Sequence, residues 1–189
     1  MSNLLSIEMG VSMSKRCLPI GLLVLASGLS CAQAAPQQLL NKTIAFSFTN
    51  NEMLREPDGR IVNRAPSFSY IDYVSSTGRI FQRSSRSAGR QSRTADKEPD
   101  KPRLGGGEIH TNRFEGNKLV ITNGYAEGAV RMVVSFDPAF STCTVDVVLG
   151  KQSGGTVKRR GLDGVVREIL SYDITNKNCT IRDGNPFAD

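Results

Sequence analysis

From Thr43 to Phe48 apolar and polar residues alternate, so that Ile44, Phe46 and Phe48 share one face. A period of two of this kind predicts a half-buried β-strand. The stretch from Asn50 to Pro66 mixes charges with Pro57-Asp58-Gly59 and predicts a long turn or loop. Ser67 to Val74 is rich in aromatic and β-branched residues and predicts a second strand. Ser75-Ser76-Thr77-Gly78 then predicts a hairpin turn into Arg79-Ile80-Phe81-Gln82-Arg83, because small polar residues and glycine tolerate the backbone of tight turns. Three further runs, 118–122, 130–136 and 143–149, are separated by Gly, Asn, Asp and Pro and predict a meander. Val130, Met132, Val134 and Phe136 share a face in one run; Cys143, Val145, Val147 and Leu149 share one in the next. Cys143 is therefore expected to point into the core.

Residues 162–170 fit two periods. Their apolar positions recur at three and four, as in one or two turns of amphipathic helix, yet Gly164 and the Val165-Val166 pair favour the start of a strand. Leu170–Ile174 and Cys179–Ile181 predict a closing pair of strands. Residues 84–107 contain a single large apolar residue, Leu104, and predict a mobile loop, since so little burial cannot offset the entropy of ordering. About eight short strands with no alternation of strand and long helix predict an all-β fold. A small antiparallel barrel of lipocalin type is the first expectation and a β-sandwich the second, with room for one short helix.

The N-terminus changes the picture. Lys15 and Arg16 precede the apolar run Cys17–Ala26, which fades into Ala32-Gln33-Ala34: positive charge, apolar core, small-x-small. This is the order of a secretory signal peptide, and the run is too short for a permanent membrane span. Cleavage is expected after Ala34. Gly28-Leu29-Ser30 fits poorly with lipidation at Cys31. A signal beginning at Met1 would place Glu8 in its leading region, whereas one beginning at Met13 would be purely basic there, so Met13 is the expected start. Removing 34 of the 189 residues leaves 155, enough for one β-rich domain over 35–189 and an address in the periplasm or outside the cell. Only Cys143 and Cys179 then remain, and an oxidising compartment predicts a disulfide between them.

The formal charge is +6, and it is concentrated. Arg79, Arg83, Arg86, Arg90, Arg93, Lys97, Lys101 and Arg103 face only Asp96, Glu98 and Asp100 along the same stretch. Such a segment can capture a polyanion by counterion release: acidic polysaccharide, lipopolysaccharide or anionic lipid. Nucleic acid is not expected, because no aromatic residue follows Phe81 within the run to stack bases. Lys158-Arg159-Arg160 would add to this surface if folding joined the two.

Catalytic signals are sparse. His110 is the one histidine, with Glu108 two residues before it on the same face of a strand, and any imidazole chemistry must use it. No Gly-x-Ser-x-Gly elbow accompanies it. Gly105-Gly106-Gly107 lacks the lysine, hydroxyl and helix of a phosphate loop, Gly150–Thr156 holds the right residue types in the wrong order, and both predict turns. No carboxylate pair is spaced for glycoside hydrolysis, and neither a metal nor a cofactor is called for.

Gly78-Arg79-Ile80-Phe81, the run from Ser135-Phe136-Asp137 to Cys143, and the ending from Cys179 to Ala188 resemble small exported proteins of soil alphaproteobacteria. The resemblance implies export and no activity, cofactor or site. The expected function is therefore non-enzymatic binding, of a small apolar ligand at a barrel mouth or of an anionic envelope component. A small hydrolase using His110 and a structural protein docking through its basic loop are the alternatives.

Overall fold

The computed structural model describes residues 34–97, 109–125, 128–150 and 156–187. Eleven strands follow a short 3-10 turn at Gln37–Leu39: β1 (Lys42–Arg55), β2 (Ile61–Arg64), β3 (Ser67–Val74), β4 (Ile80–Ala88), β5 (Gln91–Lys97), β6 (Ile109–Glu115), β7 (Lys118–Tyr125), β8 (Gly128–Phe136), β9 (Cys143–Gly150), β10 (Lys158–Arg160) and β11 (Val166–Asp183). They form two antiparallel sheets. The larger has the order β10-β11-β1-β3-β4-β5, with β2 continuing the place of β3 along β1; the smaller is the meander β6-β7-β8-β9.

The expected barrel gives way to the sandwich. The larger sheet ends at β10 and β5 and the smaller at β6 and β9, with no backbone ladder joining them among the described residues. Instead the faces pack on each other. From the larger sheet Ile44, Phe46, Phe48, Tyr70, Val74 and Ile80 point inward. They meet Phe114, Leu119, Ile121, Met132, Val134 and Phe136 of the smaller. Stacked rings run along the larger sheet, Phe46 on Tyr70 at 4.9 Å and Phe48 on Phe68 at 5.1 Å. Side chains fill this half of the interior, which is where a barrel ligand would have to sit.

Three contacts lay β9 over β11: the Cys143–Cys179 disulfide, Lys177 Nζ to Asp146 Oδ1 at 2.9 Å, and the Leu149 amide to the Tyr172 hydroxyl at 3.3 Å. The bridge bears out the pairing expected from the cysteine count, and Cys143 packs against the core as its strand phase required.

Several boundaries differ from expectation, each for a local reason. The alternation of β1 does not stop at Phe48. It continues through Asn50 and Glu52, polar residues at buried inward positions, to Leu54, and the expected loop contains a hairpin closed between Glu56 and Arg60. The turn at Ser75–Gly78 forms as read, with Gly78 at φ +80°, a conformation that costs glycine little. Residues 84–97 are not a loop. β4 and β5 pair through Ala88↔Gln91, and β3 templates them with backbone hydrogen bonds that need no apolar side chains. The rest of the expected loop, 98–107, lies outside the described residues, as do residues 1–33 and hence nearly all of the expected signal segment. β6 sets His110 on a strand, as expected, but its extent was not legible, because its inward set is His110, Asn112 and Phe114, with one apolar residue in three. Leu162–Leu170 forms a turn and then strand, not helix, and the closing pair is one long strand. Asn176, at φ +50°, marks a register shift opposite Ser47–Thr49, where the sequence had suggested a break.

Candidate functional site

The interior changes character along its length. The antiparallel register carries from Tyr172 to Glu52 on one sheet, and from Leu149 through Val130 and Asn123 to His110 on the other. At this end polar residues replace the rings. Glu52, with a side chain of 0% exposure, is paired with Arg159 from β10 and accepts from Asn50 Nδ2. β10 is held against the sandwich by the Ile169 amide, which donates to the Val157 carbonyl at 2.7 Å. It also passes so close to β8 that a Cβ on Gly128 would stand 3.4 Å from the Lys158 carbonyl oxygen.

Across the mouth, Arg86 on β4 donates from Nη1 to the Arg160 carbonyl at 3.0 Å. The guanidinium carbons of Arg86 and Arg159 each lie 5.6 Å from the ring centroid of Phe68, within cation–π range. Two basic segments more than seventy residues apart thus converge on one phenyl ring. Burial pulls Arg159 down to about 10, with the Arg86 charge acting the same way and Glu52 partly offsetting both. Burial also raises Glu52 above the usual carboxylate range, against the pull of Arg159 and Arg86.

A neighbouring network is balanced. Arg167, 6% exposed, donates to both oxygens of Asp163 at 2.9 and 2.8 Å and to Glu56 at 2.8 Å, and Glu56 also accepts from Arg64 at 3.0 Å. The Arg167 hydrogen bonds hold Asp163 and Glu56 below the usual carboxylate range. Two cations and two carboxylates leave no charge over, so this cluster fastens the turn before β11. Arg167→Lys, which keeps the charge and loses the fork, is expected to lower the melting temperature by roughly 5 °C. An unchanged melt would show that the fork contributes nothing.

Among the described residues, the expected basic side chains do not share one face. Arg79 is exposed beside Phe81, at 5.8 Å. Arg83 points outward, opposite Asp96 in the register, with its guanidinium 5.0 Å from the Phe187 ring. Arg86 turns inward, as strand alternation requires, and Arg90 is exposed in the β4–β5 turn. Arg93 and Lys97 hold strand positions opposite Arg86 and Gln82. Lys101 and Arg103 lie outside the described residues, as do Glu108 and Gly105–Gly107. His110 Nδ1 is 2.6 Å from Asn123 Oδ1.

The outward face of the larger sheet carries something the sequence reading missed. One register aligns Asn178, Ser47, Ser69, Ser85 and Thr94 across β11, β1, β3, β4 and β5. The next aligns Thr175, Thr49, Ser67, Ser87 and Ser92. The signal was present as hydroxyls at a period of two, Ser67-x-Ser69, Ser85-x-Ser87 and Ser92-x-Thr94. Seven of these residues, Ser47, Thr49, Ser67, Ser69, Ser85, Ser87 and Ser92, line a groove of about 260 Å³ together with Phe48, Phe68, Arg86 and Asn176. Along its flank the C-terminal segment crosses the face. Thr43, an outward residue, is 4% exposed and donates to the Gly184 carbonyl at 2.6 Å, and Phe187 reaches Arg83.

No family model, curated protein or solved structure matches the chain. Among the described residues no group of three His, Cys, Asp or Glu could hold a metal ion, and no helix is long and apolar enough to cross a membrane.

Proposed function

We propose that this chain is a non-catalytic, extracytoplasmic binding domain that holds an acidic polysaccharide of the cell envelope at the arginine-rich end of the sandwich. The observation that carries this is the convergence of Arg86 and Arg159 on Phe68, with the Arg86 guanidinium bonded to the Arg160 carbonyl. The two guanidiniums bring positive charge to a half-buried ring at the mouth, with the buried Glu52 paired to Arg159 behind it, and a positive field of this kind draws a polyanion. Lys158, Arg160 and Arg90 are exposed around it and extend the positive field into solvent. The signal-like leader supports the address, and the resemblance to exported proteins agrees with it.

The test is gel retardation by polygalacturonate over a salt series, for the wild type and for Arg90→Gln/Arg160→Gln, two exposed substitutions that leave the Glu52 pair intact. Retardation is expected for the wild type, reduced in the variant and lost as ionic strength rises. Retardation that persists in 1 M salt, or that the variant retains in full, would sink the reading.

A further inference from the structure

We infer that Glu52 is a proton-operated latch on the arginine site: ionised it holds Arg159 inward, and protonated it hands Arg159 to the bound polymer. The inference rests on the reading of that end as a polyanion site and adds its regulation. Glu52 has no exposed side-chain surface and is paired with Arg159, whose guanidinium lies over Phe68 at the mouth. An arginine committed to a buried carboxylate has fewer N–H groups left for an external anion, and part of its field is cancelled by its partner. A bound polyanion and Glu52 therefore compete for the same fork.

The neighbouring inward side chain of β1 suits both states of the carboxyl. Asn50 is 1% exposed, and its Nδ2 donates to Glu52 Oε1 while its Oδ1 accepts no hydrogen bond among the described residues. A buried acceptor left unmet is costly, and an ionised carboxylate has no proton to offer it. A protonated carboxyl has one. With Glu52 neutral, half a turn of the Asn50 amide brings Oδ1 to the carboxyl O–H. One proton from solvent thus satisfies the acceptor and removes the charge that holds Arg159. Arg159 is placed to respond, because β10 is only three residues long and forms the edge of the larger sheet, and 16% of the arginine side chain is exposed.

The surroundings single out Glu52 among the carboxylates at this end. Arg86 of β4 acts on it through space, with Arg93 of β5 opposite Arg86 in the register, and Lys158 and Arg160 flank Arg159 on β10. Arg64, its register partner on β2, donates to Glu56. From β11, Tyr172 stands opposite Glu52, and Arg167 holds Glu56 and Asp163 below the usual carboxylate range, so both stay ionised in mild acid. Burial sets Glu52 apart by raising it above that range. The inward residues of the smaller sheet at this end are Leu149, Val130, Asn123 and His110, which carries the one imidazole of the chain. Competition for Arg159 fixes the sign of the coupling. A polyanion favours neutral Glu52, so binding takes up a proton and strengthens as pH falls through the titration of Glu52.

The test is calorimetric titration of the oxidised chain with dextran sulfate, whose sulfate esters stay ionised throughout, at pH 5 and pH 7 and in two buffers of different ionisation enthalpy. The wild type is expected to bind about fivefold more tightly at pH 5 and to take up protons on binding. Glu52→Gln, which keeps the shape of the side chain and imitates its neutral state, is expected to bind at pH 7 as tightly as the wild type does at pH 5, with no proton uptake. His110→Gln is expected to keep both the pH dependence and the uptake. Wild-type binding that is equal at the two pH values, or that takes up no proton, would overturn the latch and leave the polyanion site standing. So would a folded Glu52→Gln chain no tighter than the wild type at pH 7, or loss of the pH dependence in His110→Gln. Failure to bind either dextran sulfate or polygalacturonate would end both readings. Circular dichroism and the melting temperature establish that the variants fold, and the wild-type comparison stands without them.

Discussion

Opening the Cys143–Cys179 bridge is expected to lower the stability of the domain by about 3–4 kcal/mol. The bridged residues are 36 apart in sequence. Closing a loop of that length removes conformational freedom from the unfolded chain, and the entropy model returns a value of this size. The position of the bridge makes the native state sensitive as well. It joins β9 of the smaller sheet to β11 of the larger, beside the Lys177–Asp146 pair and the hydrogen bond that the Leu149 amide donates to the Tyr172 hydroxyl. Cys143→Ala/Cys179→Ala avoids leaving thiols in a half-buried site. Urea unfolding of this variant and of the wild type with and without reductant supplies the measurement. The variant and the reduced wild type should coincide at a lower midpoint, and equal midpoints for oxidised and reduced protein would show that the bridge adds nothing.

How far the sequence disclosed the structure depended on which force made each element. Where burial made it, alternation was legible: Ile44-x-Phe46-x-Phe48, the meander of β7 to β9, and the inward phase of Cys143 all follow from apolar residues at a period of two. Where polar residues took inward positions, the pattern broke while the strand did not. Asn50 and Glu52 hid the second half of β1, and His110 and Asn112 hid the extent of β6. β4 and β5 were hidden for another reason. Hairpin backbone bonds templated by β3 hold them, and Ser85, Ser87, Ser92 and Thr94 signal nothing to a search for buried surface. The candidate site was legible in its charges and not in their arrangement. Both basic segments stood out in the sequence, but only the path of β10 past β4 brings Arg159 and Arg86 to the same ring. Choosing between barrel and sandwich required the order of strands, and the spacing of short strands is the same in both.

Replacing Arg159 by Met is expected to cost about 3 kcal/mol or more at pH 7, and the loss should shrink in acid. Glu52 has no exposed side-chain surface and is paired with Arg159. Burial already raises its pKa and lowers that of Arg159, so desolvation outweighs the attraction within the pair. A pair of this kind stabilises little by its presence, whereas losing one partner strands a buried charge. Methionine fills much of the arginine volume and removes the larger of the two charges that pull the Glu52 pKa down, Arg86 being the other, so the folded-state pKa rises further above its unfolded value. A carboxyl raised on folding binds more protons in the native state. Its contribution is therefore most favourable below the unfolded pKa of about 4 and is lost as pH rises through the folded value. The variant should thus lie closest to the wild type in mildly acidic buffer and fall behind as pH climbs. Adding Glu52→Gln removes the stranded charge and should recover most of the loss at pH 7, with no acid dependence from this position. Urea midpoints of the three chains at pH 5 and pH 7 make the comparison. A deficit independent of pH, or a double variant no more stable than Arg159→Met, would place the cost in lost packing against Phe68 instead of in the buried carboxylate.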